Sequence, residues 1–349
     1  MDAPTSVAPT PDTAVDTVVD TAPSPLPDTT TAPAASGYFP PPDGQWETAS
    51  ASDAGLTDEG VAALVEMVGT VGSDSFVLLW EGRIVAEQYW NGHDASFTRD
   101  LASAQKSVTS TLVGLASDRG LLGLDDTVSS YLPAGWTAAA PSEESVITIR
   151  QLLTMSSGLN PRNLRKAAEP GTVWDYNTDA YQKLRGVLEA AAGTEINALS
   201  REWLFDAIGI TQPTPWAARG ALTDAVGDPT FGLRLTAREM ARFGLFAMHR
   251  GQWVGEQITA GDWFDEAWAP TPLKRDYGYL WWLLGKGPLS EFGAPVDLVA
   301  ALGAQDQKIY VSPSTGLVLA RQGPAAGEST LNESDFDAAL VTALVHARA

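Results

Sequence analysis

Cysteine is missing from all 349 residues. That excludes disulfides, thiolate metal sites and cysteine nucleophiles, and it leaves the redox compartment open. Histidine is nearly as scarce, with only His93, His249 and His346. None stands at a metal-ligand spacing such as His-Glu-x-x-His. Each reads more readily as a surface or satisfied histidine than as a ligand, and no metal or other cofactor is implied. No apolar run reaches the roughly 18 residues of a membrane helix, and no basic-then-apolar leader opens the chain. A Gly-x-Ser-x-Gly elbow is also absent, which counts against a Ser-His-Asp triad on an α/β-hydrolase fold. Without a Gly-rich phosphate loop, nucleotide chemistry has no support. Basic residues are few: 22 Lys and Arg face 43 Asp and Glu, for a net charge of −21. Such a charge disfavours nucleic acids and anionic membranes as partners.

What is present divides in two. Residues 1–44 are built from Thr, Pro, Ala and Asp without a single Lys or Arg. Their apolar residues are small and follow neither the helix nor the strand period, so burial cannot offset the entropy of ordering them. This composition predicts a disordered, acidic, partly extended spacer. Spacers of this kind often separate an exported domain from a membrane or cell-wall anchor. The Met directly before Asp-Ala-Pro-Thr suggests an expression start after loss of a leader. An exported location is therefore the expectation, with a plain acidic tail on a cytoplasmic protein as the alternative.

From about residue 45 to 349 the sequence reads as folded. Thr57 caps a helix whose Val61, Leu64, Val65 and Val68 share a face. SFVLLW (75–80) and IVAEQYW (84–90) flank a turn and predict a hairpin. In LTAREM, Thr236 and Glu239 have capping-box spacing. YGYLWWLL (277–284) reads as a strand. QKIYVSP and GLVLARQG form a second hairpin, and SDFDAALVTALVHAR closes the chain as an amphipathic helix. Strands thus lie at both ends, with mostly helices between. The pattern predicts an α+β fold: one antiparallel sheet assembled from about 45–100 and 275–349, covered by the terminal helices, with a mostly helical lobe at about 104–270. A cleft between the lobes is the expected ligand site.

The chemistry centres on SAQKS (103–107). Of six lysines, only Lys106 has a serine three positions earlier. Val108, Leu112, Leu115 and Ala116 follow at helical spacing and Gly120 ends the run, placing Ser103 at or near the N-terminus of an amphipathic helix. Residues three apart share a helix face, so the Lys106 amine can reach the Ser103 hydroxyl. N–H groups at that helix end suit a developing oxyanion. A hydroxyl needs a base to become a nucleophile, and a lysine serves if burial lowers its pKa. The plainer reading is a capping serine beside a solvated lysine. Downstream, PGTVWDYNTDAY (170–181) carries Tyr176, whose phenol beside an ammonium can hold or pass a proton. Its plainer reading is a core tyrosine.

In order, Ser103-Ala-Gln-Lys106, LLTMSSGL (152–159), PGTVWDYNT (170–178), GLRLTAREMARFGLFAMHRGQW (232–253), YGYLWW (277–282) and ALGAQDQKIYVSP (301–313) resemble the class C β-lactamase-like serine hydrolases. That group includes family VIII carboxylesterases, D-aminopeptidases, penicillin-binding relatives and 6-aminohexanoate-dimer hydrolases. The resemblance covers about 46–349 and implies a β-lactamase/transpeptidase-like fold. It also implies an acyl-enzyme on Ser103, with Lys106 and Tyr176 sharing the base role. The oxyanion would be bound by the N–H of Ser103 and that of Ala304, with Gln305 beside it. Two departures matter. The family's Tyr-x-Asn is here Tyr176-Asn177-Thr178, so Asn177 or Thr178 takes the place of the amide. The third motif, Lys-Thr-Gly or His-x-Gly in the family, keeps only Gly303.

Loss of that cation lowers the expectation of β-lactam hydrolysis, unless Arg234 or Lys308 points inward. It favours small esters or amides. Trp174, Tyr279, Trp281 and Trp282 are candidates for an acyl pocket or for plain core. The remaining alternatives are a β-lactamase or D-amino-acid peptidase, and a non-catalytic binding protein on the same fold. Oligomeric state is not legible.

Overall fold

Continuous apolar strands need cover on both faces, and the architecture supplies it. The structure, a computed structural model, describes residues 37–326 and 335–348. Helix α1 (Asp58–Thr70) is capped by Thr57, whose side chain accepts the Gly60 N–H. Strands β1 (Ser75–Trp80) and β2 (Arg83–Tyr89) form the first expected hairpin. Next come the short strand β3 (Thr98–Asp100) and helix α2 (Gln105–Asp118). Helix α3 (Thr178–Ala192) precedes a second hairpin of β4 (Trp216–Thr223) and β5 (Pro229–Thr236). Helix α4 (Ala237–Met248) begins at the expected Thr236/Glu239 capping box. Strands β6 (Val299–Gly303), β7 (Gln307–Ser312) and β8 (Leu317–Gln322) and helix α5 (Asp335–His346) complete the chain.

The central sheet is antiparallel in the order β2-β1-β8-β7-β6, assembled from both ends of the chain as expected. Side chains alternate between its faces. Ile309 and Val318 lie against α4, whose Gly244 approaches so closely that a methyl group there would overlap them. Leu78, Tyr310 and Leu319 point to the other side, toward Val341 and Leu344 of α5. The N-terminal segment joins α5 through Thr57 N–H, which donates to Ala347 O at 2.7 Å.

The mostly helical middle region also carries β4 and β5, which pair with β3 in a second, three-stranded sheet. Three expectations need correction. YGYLWWLL is not a strand. Gly278 N–H turns back to Trp281 O at 3.0 Å and Leu280 is left-handed at φ 59°, so only Trp282 bridges to Ala300 of β6. Helix α2 is not amphipathic: every residue from Gln105 to Ala116 is buried. The expected spacer also ends sooner than residue 44. Phe39 packs on His249 and Trp253, and Arg242 donates to Pro40 O at 2.8 Å. Residues 1–36 of that spacer lie outside the described residues. Among the described residues, no helix is long and apolar enough to cross a membrane.

A buried charge cluster ties α5 to the sheet. Lys308 on β7, 2% exposed, sits 2.9 Å from Asp306 and 2.5 Å from Asp337 on α5. Tyr310 also donates to Asp337. Asp337→Ala leaves Lys308 its Asp306 partner but strips the buried Tyr310 hydroxyl of its acceptor and α5 of its tie to the sheet. Unfolding stability is therefore expected to fall by about 1–3 kcal/mol in a denaturant titration. A change below about 1 kcal/mol would show that the cluster does not hold α5.

Candidate active site

Ser103 lies in a single 3-10 turn (Ala102–Ala104) that runs directly into α2. One helical turn on, Lys106 projects from the same face, and its Nζ lies 2.9 Å from Ser103 Oγ. This is the contact that the Ser-x-x-Lys spacing predicts. Lys106 is 2% exposed. Its amine sits 4.8 Å from the Tyr176 ring centroid and 4.5 Å from that of Tyr181, and 3.3 Å from Thr178 Oγ1. Among the described residues, no carboxylate pairs with it directly. Burial pulls its pKa down to about 7; the Arg219 guanidinium pushes the same way and Asp179 opposes. Half the amines are then neutral near pH 7, so the plainer reading of a solvated lysine does not hold.

Tyr176 differs. Burial raises its phenol above the ordinary value, against the lowering effect of the Ser103 hydroxyl, and the Tyr181 charge adds to the rise. It stays protonated at neutral pH. Its ring stacks on Trp282 (6.0 Å, 25°) and neighbours Trp174 at 6.3 Å and Tyr277 at 6.4 Å. Trp174 and Trp282 therefore line the site beside Tyr176. Trp281 does not: it is fully buried among Phe243, Phe264 and Trp268. Tyr279 accepts a hydrogen bond from Arg150, away from this cluster.

Asn177 and Thr178 separate cleanly. Asn177 is the N-cap of α3: its Oδ1 accepts Ala180 N–H at 2.9 Å, and its Nδ2 donates to Leu159 O at 3.0 Å. It is 1% exposed and committed to local structure. The expected substrate-binding role for Asn177 is corrected accordingly, since helix capping uses the same amide. Thr178 is the member of the pair that faces the amine.

Gly303 ends β6 against the serine turn. A Cβ on it would meet Leu101 O at 2.1 Å and Ala104 N at 3.0 Å, so only glycine allows this approach. Ala304 then opens a turn in which Gln305 and Asp306 are left-handed at φ 60° and 58°. Leading N–H groups of such turns lack an intrahelical acceptor, which leaves those of Ser103 and Ala304 suited to an oxyanion. The strained turn is held from beneath by Arg321, which donates to Gln305 O at 3.0 Å and Asp306 O at 3.1 Å. The Gln305 side chain is exposed and accepts from Arg99 at 3.0 Å.

No free cation replaces the missing third-motif lysine among these residues. Lys308 is buried in its own ion pairs, and Arg234 donates to Thr98 O. Arg99 reaches the third motif but pairs with Asp74 at 2.5 Å. Sequence reading missed Arg99, Arg219, Asp100, Asp179 and Tyr181. Tyr181 follows Thr178 by three residues on the helix after Tyr176, so a helical reading of 178–192 would have put both on the face that meets Lys106, whereas Asp179 carried no such signal. Arg219 has no local signal, because it arrives on the β4–β5 hairpin.

The family model for "Beta-lactamase" matches residues 61–339. The chain belongs to the beta-lactamase family of serine hydrolases. Among curated proteins it is 22% identical over 297 residues to the 6-aminohexanoate-dimer hydrolase of Paenarthrobacter ureafaciens, covering 71% of this chain and 72% of that one. Among solved structures it resembles a provisionally assigned 6-aminohexanoate-dimer hydrolase of Bacillus anthracis (TM-score 0.68, 19% identity, 89% of each chain). It also resembles a penicillin-binding protein homologue of Caulobacter crescentus (TM-score 0.63, 16% identity, 84% of this chain and 98% of that one). The fold is thus the β-lactamase/transpeptidase-like one that the motifs implied.

Burying Lys106 weakens the native state wherever the amine must carry a proton. The unfolded amine titrates near 10.4 and the folded one near 7. Below pH 7 both states are charged and the full burial penalty is present; it fades as pH rises from about 7 to 10. Lys106→Met is therefore expected to raise the melting temperature at pH 6, with the gain shrinking toward pH 10. A gain independent of pH would contradict a buried, titrating amine.

Proposed function

We propose that this family member hydrolyses small carboxylic esters or amides through an acyl-enzyme on Ser103. The observation that carries this is a fully buried amine at 2.9 Å from a serine hydroxyl, drawn to a pKa of about 7. A base with that pKa is half available at neutral pH and still drives proton transfer.

In the acylation step, Ser103 Oγ bonds to the substrate carbonyl carbon and its proton passes to neutral Lys106 Nζ. Negative charge builds on the carbonyl oxygen, opposite the N–H groups of Ser103 and Ala304. As the bond to the leaving oxygen or nitrogen breaks, the leaving atom takes a proton. The Tyr176 phenol, protonated and beside both Ser103 and Lys106, is the natural relay, with Lys106 resupplying it. Water then adds to the acyl carbon and gives its proton to Lys106. Ser103 Oγ departs and recovers that proton. Thr178 holds the amine in place between steps.

The substrate class follows from charge. Arg99, Arg219 and Lys308 are paired with Asp74, Asp100 and Asp306/Asp337, Lys274 over the Trp174 and Trp282 rings is paired with Asp276, and Arg234 is engaged by Thr98 O. A substrate whose recognition needs a free cation for its carboxylate is poorly served, so esters and uncharged or amine-bearing amides are favoured over β-lactams. The aromatic wall of Trp174, Tyr176 and Trp282 suits an apolar acyl chain.

A panel of p-nitrophenyl esters, 6-aminohexanoate dimer and nitrocefin separates these substrates. Ester or amide turnover above nitrocefin turnover is expected. Nitrocefin as the best substrate would overturn the substrate class. Ser103→Ala is expected to abolish turnover with little change in melting temperature. Lys106→Ala and Tyr176→Phe should each reduce kcat by about a hundred-fold or more, and the double variant by far less than the product, because the groups act as a unit. Multiplicative losses would separate their roles.

A further inference from the structure

The serine turn begins in strain. Ala102, immediately before Ser103, is left-handed at φ 49°, a conformation that costs a residue with a Cβ about 1–2 kcal/mol. Something must hold it there. Its N–H donates to Asp100 Oδ1 at 2.8 Å. Asp100 in turn is gripped by both arms of Arg219 on β4: Nε to Oδ2 at 2.7 Å and Nη2 to Oδ1 at 2.8 Å. The same guanidinium donates to Gln105 Oε1 at 3.2 Å, inside the SAQKS segment. Gln105 fixes α2 to β5 through Leu233 N–H at 2.8 Å and Phe231 O at 2.9 Å. Gly232, between those residues, makes room for the pair: a Cβ there would fall 2.3 Å from Asp100 Oδ2 and 3.0 Å from Arg219 Nε.

We propose that Arg219 is a positioning residue for the reaction: through Asp100 it locks the left-handed Ala102 and so aims Ser103 Oγ and the Ser103 N–H. The proposal rests on the reading of Ser103 as nucleophile. A bidentate guanidinium–carboxylate pair is the geometry suited to this task, because it fixes orientation as well as distance. The charged and titratable groups around Lys106 are Tyr176 ahead of α3, Asp179 and Tyr181 on α3, and Arg219 on β4, with Asp100 behind it on β3. Burial is the main cause of the lowered Lys106 pKa and the Arg219 guanidinium adds to it, so losing Arg219 makes the Lys106 ammonium easier to form.

The test follows Ser103 labelling by a fluorophosphonate, read by intact mass, across pH 5–10 in wild type, Arg219→Gln and Arg219→Lys. In wild type the labelling rate should rise with pH through about 7, as Lys106 loses its proton. Arg219→Gln is expected to slow labelling by about ten- to a hundred-fold, the effect of a misplaced reacting group, and to move the rising limb to higher pH. Arg219→Lys keeps the charge but loses the fork. It should restore the limb to its wild-type position while labelling stays slow. Rates and limb equal to wild type in both variants would overturn the proposal. A slow Arg219→Gln with an unmoved limb would reduce Arg219 to a structural strut and overturn its electrostatic part. No labelling of wild type would overturn the nucleophile itself, and the proposal with it.

Discussion

Everything at this site depends on one desolvated amine. A lysine in water is charged up to about pH 10 and cannot accept a proton from serine. Lys106 is made into a base by surrounding it with aromatic rings and hydroxyls instead of carboxylates. Tyr176, Tyr181, Thr178 and Ser103 supply contacts that tolerate a neutral amine. The acid that acts on it, Asp179, has its own pKa raised by burial and spends an oxygen on Ala225 N–H. The site thereby gains a base without a histidine, and the protein accepts the lower stability that a buried amine brings.

The fold around that amine is organised to keep it dry and in register. Helix α2, entered from the Ser103 turn, carries Lys106 through the interior; Ser107 donates to Leu280 O, Thr109 bonds Tyr181 and Thr111 donates to Ser107 O, while the buried Ser110 hydroxyl has no partner among the described residues. Helix α3 delivers Thr178 and Tyr181 from the other side, under its Asn177 cap. The β4–β5 hairpin joins the two: Phe231 O takes the amides of both Gln105 and Gln182, and at its tip Asp224 and Asp228 meet the buried Lys183 of α3. On the sheet side, Gly303 brings the end of β6 to within contact of the serine turn.

What could be read from the sequence was local. Ser103 and Lys106 share a helix turn, Thr236 and Glu239 a capping box, and the hairpin strands their apolar runs; each is decided within a few residues. The three-stranded sheet was missed because β4 is mostly exposed and its alternation weak. YGYLWWLL looked like a strand because aromatics favour strands, yet the Gly278 turn and the left-handed Leu280 break it. Asn177 looked like a binding amide because the residue type suits both tasks, and only its partners separate capping from recognition. Arg219 could not be found at all, since its meaning comes from Asp100, more than a hundred residues earlier.

The central claim, that Lys106 is neutral enough to act as base, can be measured on the amine itself. Nitrogen NMR of protein labelled with ¹⁵N-lysine, with Lys106→Arg used to assign the signal, follows its titration directly. A midpoint near 7 is expected for Lys106, with exposed lysines titrating near 10.4. A Lys106 midpoint close to that ordinary value would contradict a lysine base and leave Ser103 without a partner able to take its proton.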